Sequence, residues 1–130
     1  MTDFRTPLGR ARGLGAAKHG VGHFIGQRVS AAGLVLLILW GVFSALTLAH
    51  TDYQGAVEWL RQPVNVAVLV LTAVAAFYHM QLGMRVIIED YVHTKGAKTA
   101  ALVANVFVVW GGCALTVVSL LKVAFGGGAQ

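Results

Sequence analysis

Residues 29–51, 62–84 and 99–121 contain no Asp, Glu, Lys or Arg. Each stretch is long enough to cross a hydrocarbon core of about 30 Å, which takes about 20 helical residues. A helix in a water-soluble core would show a polar face every turn or so, and these stretches do not. The pattern predicts an all-α integral membrane protein with three transmembrane helices at about residues 28–50, 63–86 and 98–123. Residues 1–27 read as a Gly-rich, basic N-terminal segment on the cytoplasmic side, and residues 1–130 as one membrane domain.

Composition removes the soluble alternative. On length alone 130 residues would suit one soluble domain, but 57% are hydrophobic, 12% are charged and the mean hydropathy is +0.72. The first apolar stretch follows 28 residues rich in Gly and basic side chains. It is about twice the length of a signal-peptide core and is expected to stay in the mature chain. The single cysteine, Cys113, lies beside Gly111 and Gly112. One cysteine excludes an internal disulfide and a paired-thiol motif for attaching c-type haem, and reads as a small packing residue.

The net charge of +5 does not imply nucleic acid, because the basic residues are not interleaved with aromatics on a foldable soluble module. Counted by connection, they report topology instead. Arg5, Arg10, Arg12, Lys18 and Arg28 precede the first span, and Arg85, Lys95 and Lys98 surround the second connection. The first connection has only Arg61 and the tail only Lys122. The positive-inside rule then places the N-terminus and second connection in the cytoplasm, or its equivalent side, and the C-terminus outside.

Gly13, Gly15, Gly20, Gly22 and Gly26 do not make a phosphate loop, since no strand precedes them and no Gly-Lys-Ser/Thr ending follows. His19, His23, Gln27, Arg28 and Ser30 crowd the cytoplasmic start of the first span. One reading is an interfacial anchor with Arg28 snorkelling to headgroups. The other has His23, Gln27 and Ser30, at helical steps of four and three, facing a polar ligand, with Arg28 offering a fixed cation to a carboxylate. In the outer connection Tyr53 and Trp59 fit an aromatic belt, with His50 solvated nearby. In the third span Asn105, Gly112, Thr116 and Ser119 share roughly one face, a pattern of close approach and interhelical hydrogen bonding.

The stretch FYHMQLGMRVIIEDYVH, residues 77–93, is the most informative. On a helix His79 and Asp90 project from nearly the same face, roughly 16 Å apart along the axis. Thr72, Ala75, Ala76 and Gly83 share the His79 face. Small residues there permit close helix packing and also leave room for a flat macrocycle. An ionisable residue inside a span is costly and reads as functional, with a partner to be found. Three readings of His79 compete: a buried histidine bonded to a neighbouring helix, a proton relay, and an axial ligand to haem. A relay would show further acids or histidines spaced along the spans, and Glu89 and Asp90 sit instead at the membrane surface. If iron takes two histidines, the second must come from another polypeptide.

His79, ten intervening residues and Asp90-Tyr91, together with the lead-in GLGAAKHGVGHFIGQRVSA and the three-helix layout, resemble the small hydrophobic membrane-anchor subunit of succinate dehydrogenase (respiratory complex II), cytochrome b556 type. The resemblance covers nearly the whole chain. It implies that His79 is one of two axial ligands of a haem b shared with the larger cytochrome b anchor subunit. It also implies that Tyr91 hydrogen-bonds a ubiquinone carbonyl with Asp90 beside it, and that Arg28 lies near a haem propionate, with His23 and Ser30 in the same surroundings. His23 departs from the acid that some members carry. Electrons would pass from succinate through a flavoprotein subunit and an iron–sulfur subunit to ubiquinone, so this chain would carry no succinate active site. A quinol:fumarate reductase anchor would use similar parts in reverse, and a non-redox structural or transport subunit of the membrane is the alternative from another class.

Overall fold

In lipid no water is present to satisfy free backbone groups, so a spanning segment has to close its hydrogen bonds within itself. Accordingly, in the computed structural model, which describes residues 6–8 and 20–126, each uncharged stretch forms the body of a long helix. The described chain runs α1 (Gly20–Leu48), α2 (Tyr53–Arg61), α3 (Pro63–Tyr91) and α4 (Lys95–Phe125), with no strand among the described residues. The protein is an all-α integral membrane protein whose three long helices are apolar enough to cross a bilayer. Arg5, Arg10, Arg12, Lys18 and His19, read above as part of the cytoplasmic segment, lie outside the described residues.

The helices outrun the uncharged stretches. α1 and α3 have 29 residues each and α4 has 31, which at about 1.5 Å per residue makes each well over the roughly 30 Å of a hydrocarbon core. Their charged ends therefore project to the headgroups. α1 starts at Gly20, ahead of residue 28, because the Gly-rich turns containing His23 and Gln27 continue the helix and pack on α3.

Local chemistry sets the turns. Asp52 is the N-cap of α2, its carboxylate accepting the Gly55 N–H at 2.9 Å, which satisfies one of the free donors at a helix start. Gln62 is at once the last cap of α2 and the first of α3. Its extended backbone is the conformation that a following proline imposes, and Pro63 begins α3 where its missing N–H costs nothing. Asn65 donates to the Trp59 carbonyl at 2.8 Å, closing the corner. Trp59 also stacks on Trp40 of α1 at a centroid distance of 5.7 Å, so the amphipathic α2 is held against the end of the bundle. At the other end α3 stops at Tyr91 and α4 starts at Lys95, with Lys98 Nζ donating to the Glu89 carbonyl at 2.7 Å across the connection.

α3 is the helix on which both α1 and α4 pack. Toward α4, Asn105 donates to the Gln81 carbonyl at 3.1 Å. A Cβ at Gly112 would meet the Phe77 ring at 2.9 Å, so the ring occupies the space that a glycine leaves. Val109 and Cys113 are buried in this seam, which gives the cysteine its packing place. Thr116 instead bonds back to the Gly112 carbonyl of its own helix, and Ser119 is exposed. Toward α1, a Cβ at Gly26 would come within 2.6 Å of the Tyr78 hydroxyl, which marks the second close approach. Elsewhere large apolar side chains face outward, Phe43 at 77% and Phe107 at 74% exposure. Lipid is the solvent for which such a surface is suited.

Candidate functional site

His79 lies half-buried on the α1 side of α3, where α1 supplies polar contacts to both ring nitrogens. Ser30 Oγ is 3.0 Å from Nδ1. The Gln27 amide nitrogen is 3.5 Å from Nε2, the outer limit of a hydrogen bond. Ser30 also donates to the Gln27 carbonyl at 3.1 Å, one turn back on its own helix. The face formed by His23, Gln27 and Ser30 is therefore turned toward α3, and two of its three residues meet His79. A Cβ at Gly83 would stand 3.7 Å from the Gln27 amide, an ordinary van der Waals contact.

The face is chemically incomplete within this chain. His23 Nε2 and Gln27 Oε1 are buried without a hydrogen-bond partner. Each such group costs about 1–3 kcal/mol if it stays unsatisfied, so the site fits a further polar partner at this depth. The weakly held Nε2 is the nitrogen of His79 that a metal could take. Among the described residues no three of His, Cys, Asp and Glu come together to hold a metal ion. A single imidazole is thus suited to an axial position on an iron whose other ligands come from elsewhere.

The remaining candidates lie nearer the headgroups and are not drawn into contact with His79. Arg28 is exposed, its guanidinium 5.3 Å over the Phe24 ring, and has no ion pair among the described residues. Asp90 and Tyr91 are exposed at the end of α3, Tyr91 at 78%, and neither has a hydrogen bond or ion pair among the described residues. Their neighbour Glu89 is engaged: it accepts from Arg85 Nε at 2.8 Å. The Arg85 hydrogen bond holds this headgroup-level carboxyl below the usual carboxylate range, with partial burial opposing and the charges of Arg85, His23 and Lys98 assisting.

Tyr78 and Gly26, which the sequence-derived set lacks, also shape the site. Gln27 touches Nε2 directly, and Tyr78 with Gly26 sets how closely α1 approaches. Helical spacing had placed Gln27 on the right face, whereas the Gly26 and Tyr78 match carries no signal within either helix alone.

A family model described as succinate dehydrogenase/fumarate reductase transmembrane subunit matches residues 2–120. The chain belongs to this family. Relatives named succinate dehydrogenase hydrophobic membrane anchor subunit agree with it. One from Rickettsia conorii is 34% identical over 125 residues, covering 95% of each chain. One from Rickettsia bellii is 33% identical over 102 residues, covering 78% of this chain and 82% of its own. A third, from Paracoccus denitrificans, is 28% identical over 121 residues, covering 93% of each. No solved structure matches the chain. As a transmembrane subunit of this family, the protein is a multi-pass membrane component that associates with the other subunits of its complex.

Proposed function

We propose that the protein is the smaller membrane-anchor subunit of succinate dehydrogenase, holding one side of a haem b through His79 and contributing Asp90 and Tyr91 to a ubiquinone site. The observation that carries this reading is the state of His79. It is an imidazole at bilayer depth with Nδ1 held by Ser30 at 3.0 Å and Nε2, among the described residues, within hydrogen-bond reach only of an amide at 3.5 Å. Haem b, when bound between His79 and a histidine of the larger cytochrome b anchor subunit, supplies a one-electron carrier.

The chain's own residues do the rest. His79 offers the Nε2 lone pair, and Gln27 yields that position at little cost because its contact is long. Arg28, at the start of the span, carries a cation that has no ion pair among the described residues and is suited to a propionate carboxylate. The Tyr91 phenol is amphipathic, and its hydroxyl, at the membrane edge, has no partner among the described residues. A quinone ring can reach it there while the isoprenoid tail stays in lipid. Oxidation of succinate to fumarate releases two electrons and two protons, and reduction of ubiquinone to the quinol consumes two of each. The electrons arrive through the flavoprotein and iron–sulfur subunits, and Asp90 is placed to hand on protons at the water boundary.

Purified from membranes, the chain should bring with it a second haem-ligating membrane subunit, a flavoprotein and an iron–sulfur protein. The preparation should show a b-type band in its reduced-minus-oxidised spectrum and reduce ubiquinone with succinate. A stable complex without visible haem absorbance would favour a non-redox role.

Orientation follows from the basic residues. Arg28, Arg85, Lys95 and Lys98 lie at one end of the bundle and Arg61 and Lys122 at the other. With the N-terminus cytoplasmic and the C-terminus periplasmic in a bacterial inner membrane, Asp90 and Tyr91 face the side from which an iron–sulfur subunit would deliver electrons. A reporter fused after Gln130 should behave as exported, and cytoplasmic activity of that fusion would invert the topology.

A further inference from the structure

Two contacts from α1 are compatible with one and the same tautomer of His79. Ser30 Oγ lies 3.1 Å from the Gln27 carbonyl oxygen and 3.0 Å from His79 Nδ1. The carbonyl can only accept; when the single hydroxyl proton goes to it, Oγ meets Nδ1 with a lone pair and Nδ1 carries the ring proton. On the other edge the Gln27 amide nitrogen can only donate, and its 3.5 Å contact is attractive only if Nε2 holds a lone pair. The opposite tautomer would break the Ser30 bond to the carbonyl and require the amide to turn over.

We propose that Ser30 is a positioning residue that holds His79 as the Nδ1–H tautomer, with its ring oriented so that Nε2 presents a lone pair to the haem iron. This rests on the reading of His79 as an axial ligand. Ser30 suits the task because a serine inside a helix bonds back to the carbonyl one turn earlier, which parks its proton and leaves its lone pairs outward. An acceptor on the far nitrogen fixes the ring and raises the basicity of the ligating one. A more basic ligand favours ferric over ferrous iron, so the hydroxyl lowers the haem midpoint potential.

The test uses the assembled complex carrying Ser30→Ala, Ser30→Thr or His79→Ala. Haem per complex, midpoint potential and the low-spin electron paramagnetic resonance signal are measured alongside quinone reductase activity. Ser30→Ala should raise the midpoint and broaden or shift the highest g value as the ring loses its fixed orientation. Haem retention should fall on the order of ten-fold when excess haem is withdrawn, at the lower end of losses seen for such outer partners. Ser30→Thr keeps the hydroxyl and the back-bond and should restore all three. If His79→Ala removes the b band while Ser30→Ala leaves midpoint and g values at wild type, the hydroxyl role is wrong and ligation stands. If Ser30→Ala and Ser30→Thr lose haem alike, shape rather than the hydroxyl matters at position 30 and the proposal falls. If His79→Ala leaves the band unchanged, ligation itself fails and the proposal goes with it.

Discussion

Replacing His79 with alanine is expected to abolish the reduced b-type band of the complex, or displace it markedly, while succinate oxidation with an artificial acceptor continues. The imidazole is the group proposed to ligate iron, and within the uncharged stretch 62–84 no acid and no second histidine stands near it in sequence to substitute for it. Alanine leaves the Gln27 amide nitrogen facing a void, a polar group costing about 1–3 kcal/mol when buried without a partner, while Ser30 keeps its bond to the Gln27 carbonyl. The α1–α3 seam should therefore loosen as well as lose its ligand. In the proposed assembly the flavin chemistry lies on another subunit, so acceptor-linked turnover separates loss of haem from loss of the whole complex. An unchanged spectrum in assembled His79→Ala complex would return the residue to a buried histidine that only ties two helices together. The same variant with band and acceptor activity both lost would signify failed assembly. In that event His79→Tyr, which retains a large ring with a polar tip, is the more informative substitution, and a b-type spectrum unaltered in it would weigh against ligation.

Tyr91→Phe is expected to lower succinate:ubiquinone reductase turnover by about 10- to 100-fold with haem content and artificial-acceptor activity unchanged. The phenylalanine keeps the ring at the membrane edge and so preserves any aromatic-belt role. Only the donor is lost. A hydrogen bond to a quinone oxygen strengthens as that oxygen gains charge during reduction, and such charge-assisted bonds contribute about 1.5–3 kcal/mol, with each 1.36 kcal/mol equal to ten-fold in rate. Tyr91 is 78% exposed and has no partner among the described residues. Removing its hydroxyl should accordingly leave the fold of this chain intact. Asp90→Asn, which keeps size and polarity but not the ability to carry a proton, should slow turnover at fixed quinone concentration more than it changes the concentration needed for half-maximal rate. Full activity in Tyr91→Phe would assign the residue to the belt and leave the quinone to other donors.

Number and class of helices follow from the order of residues, because a run of about 20 apolar residues in lipid can satisfy its backbone only as a helix or within a closed barrel. The same local logic reaches the boundaries set by Asp52 and Pro63, whose effects are confined to their own turns. It also singles out His79, since a titratable group in an uncharged stretch stands out by its cost alone. Periodicity goes one step further and puts Gln27 and Ser30 on a common face with His23. It does not say what that face meets, or where the helix before it starts. Packing settles those points: Gly26 admits Tyr78, Gly112 admits Phe77, and between these seams the rotation of α3 about its axis turns His79 toward Ser30 and Gln27 rather than toward Asn105 of α4. The reason is that a helix's own sequence fixes the angles between its side chains but not its rotation relative to a neighbour. That rotation is a property of two surfaces fitted together, and the tautomer of a single imidazole depends on it.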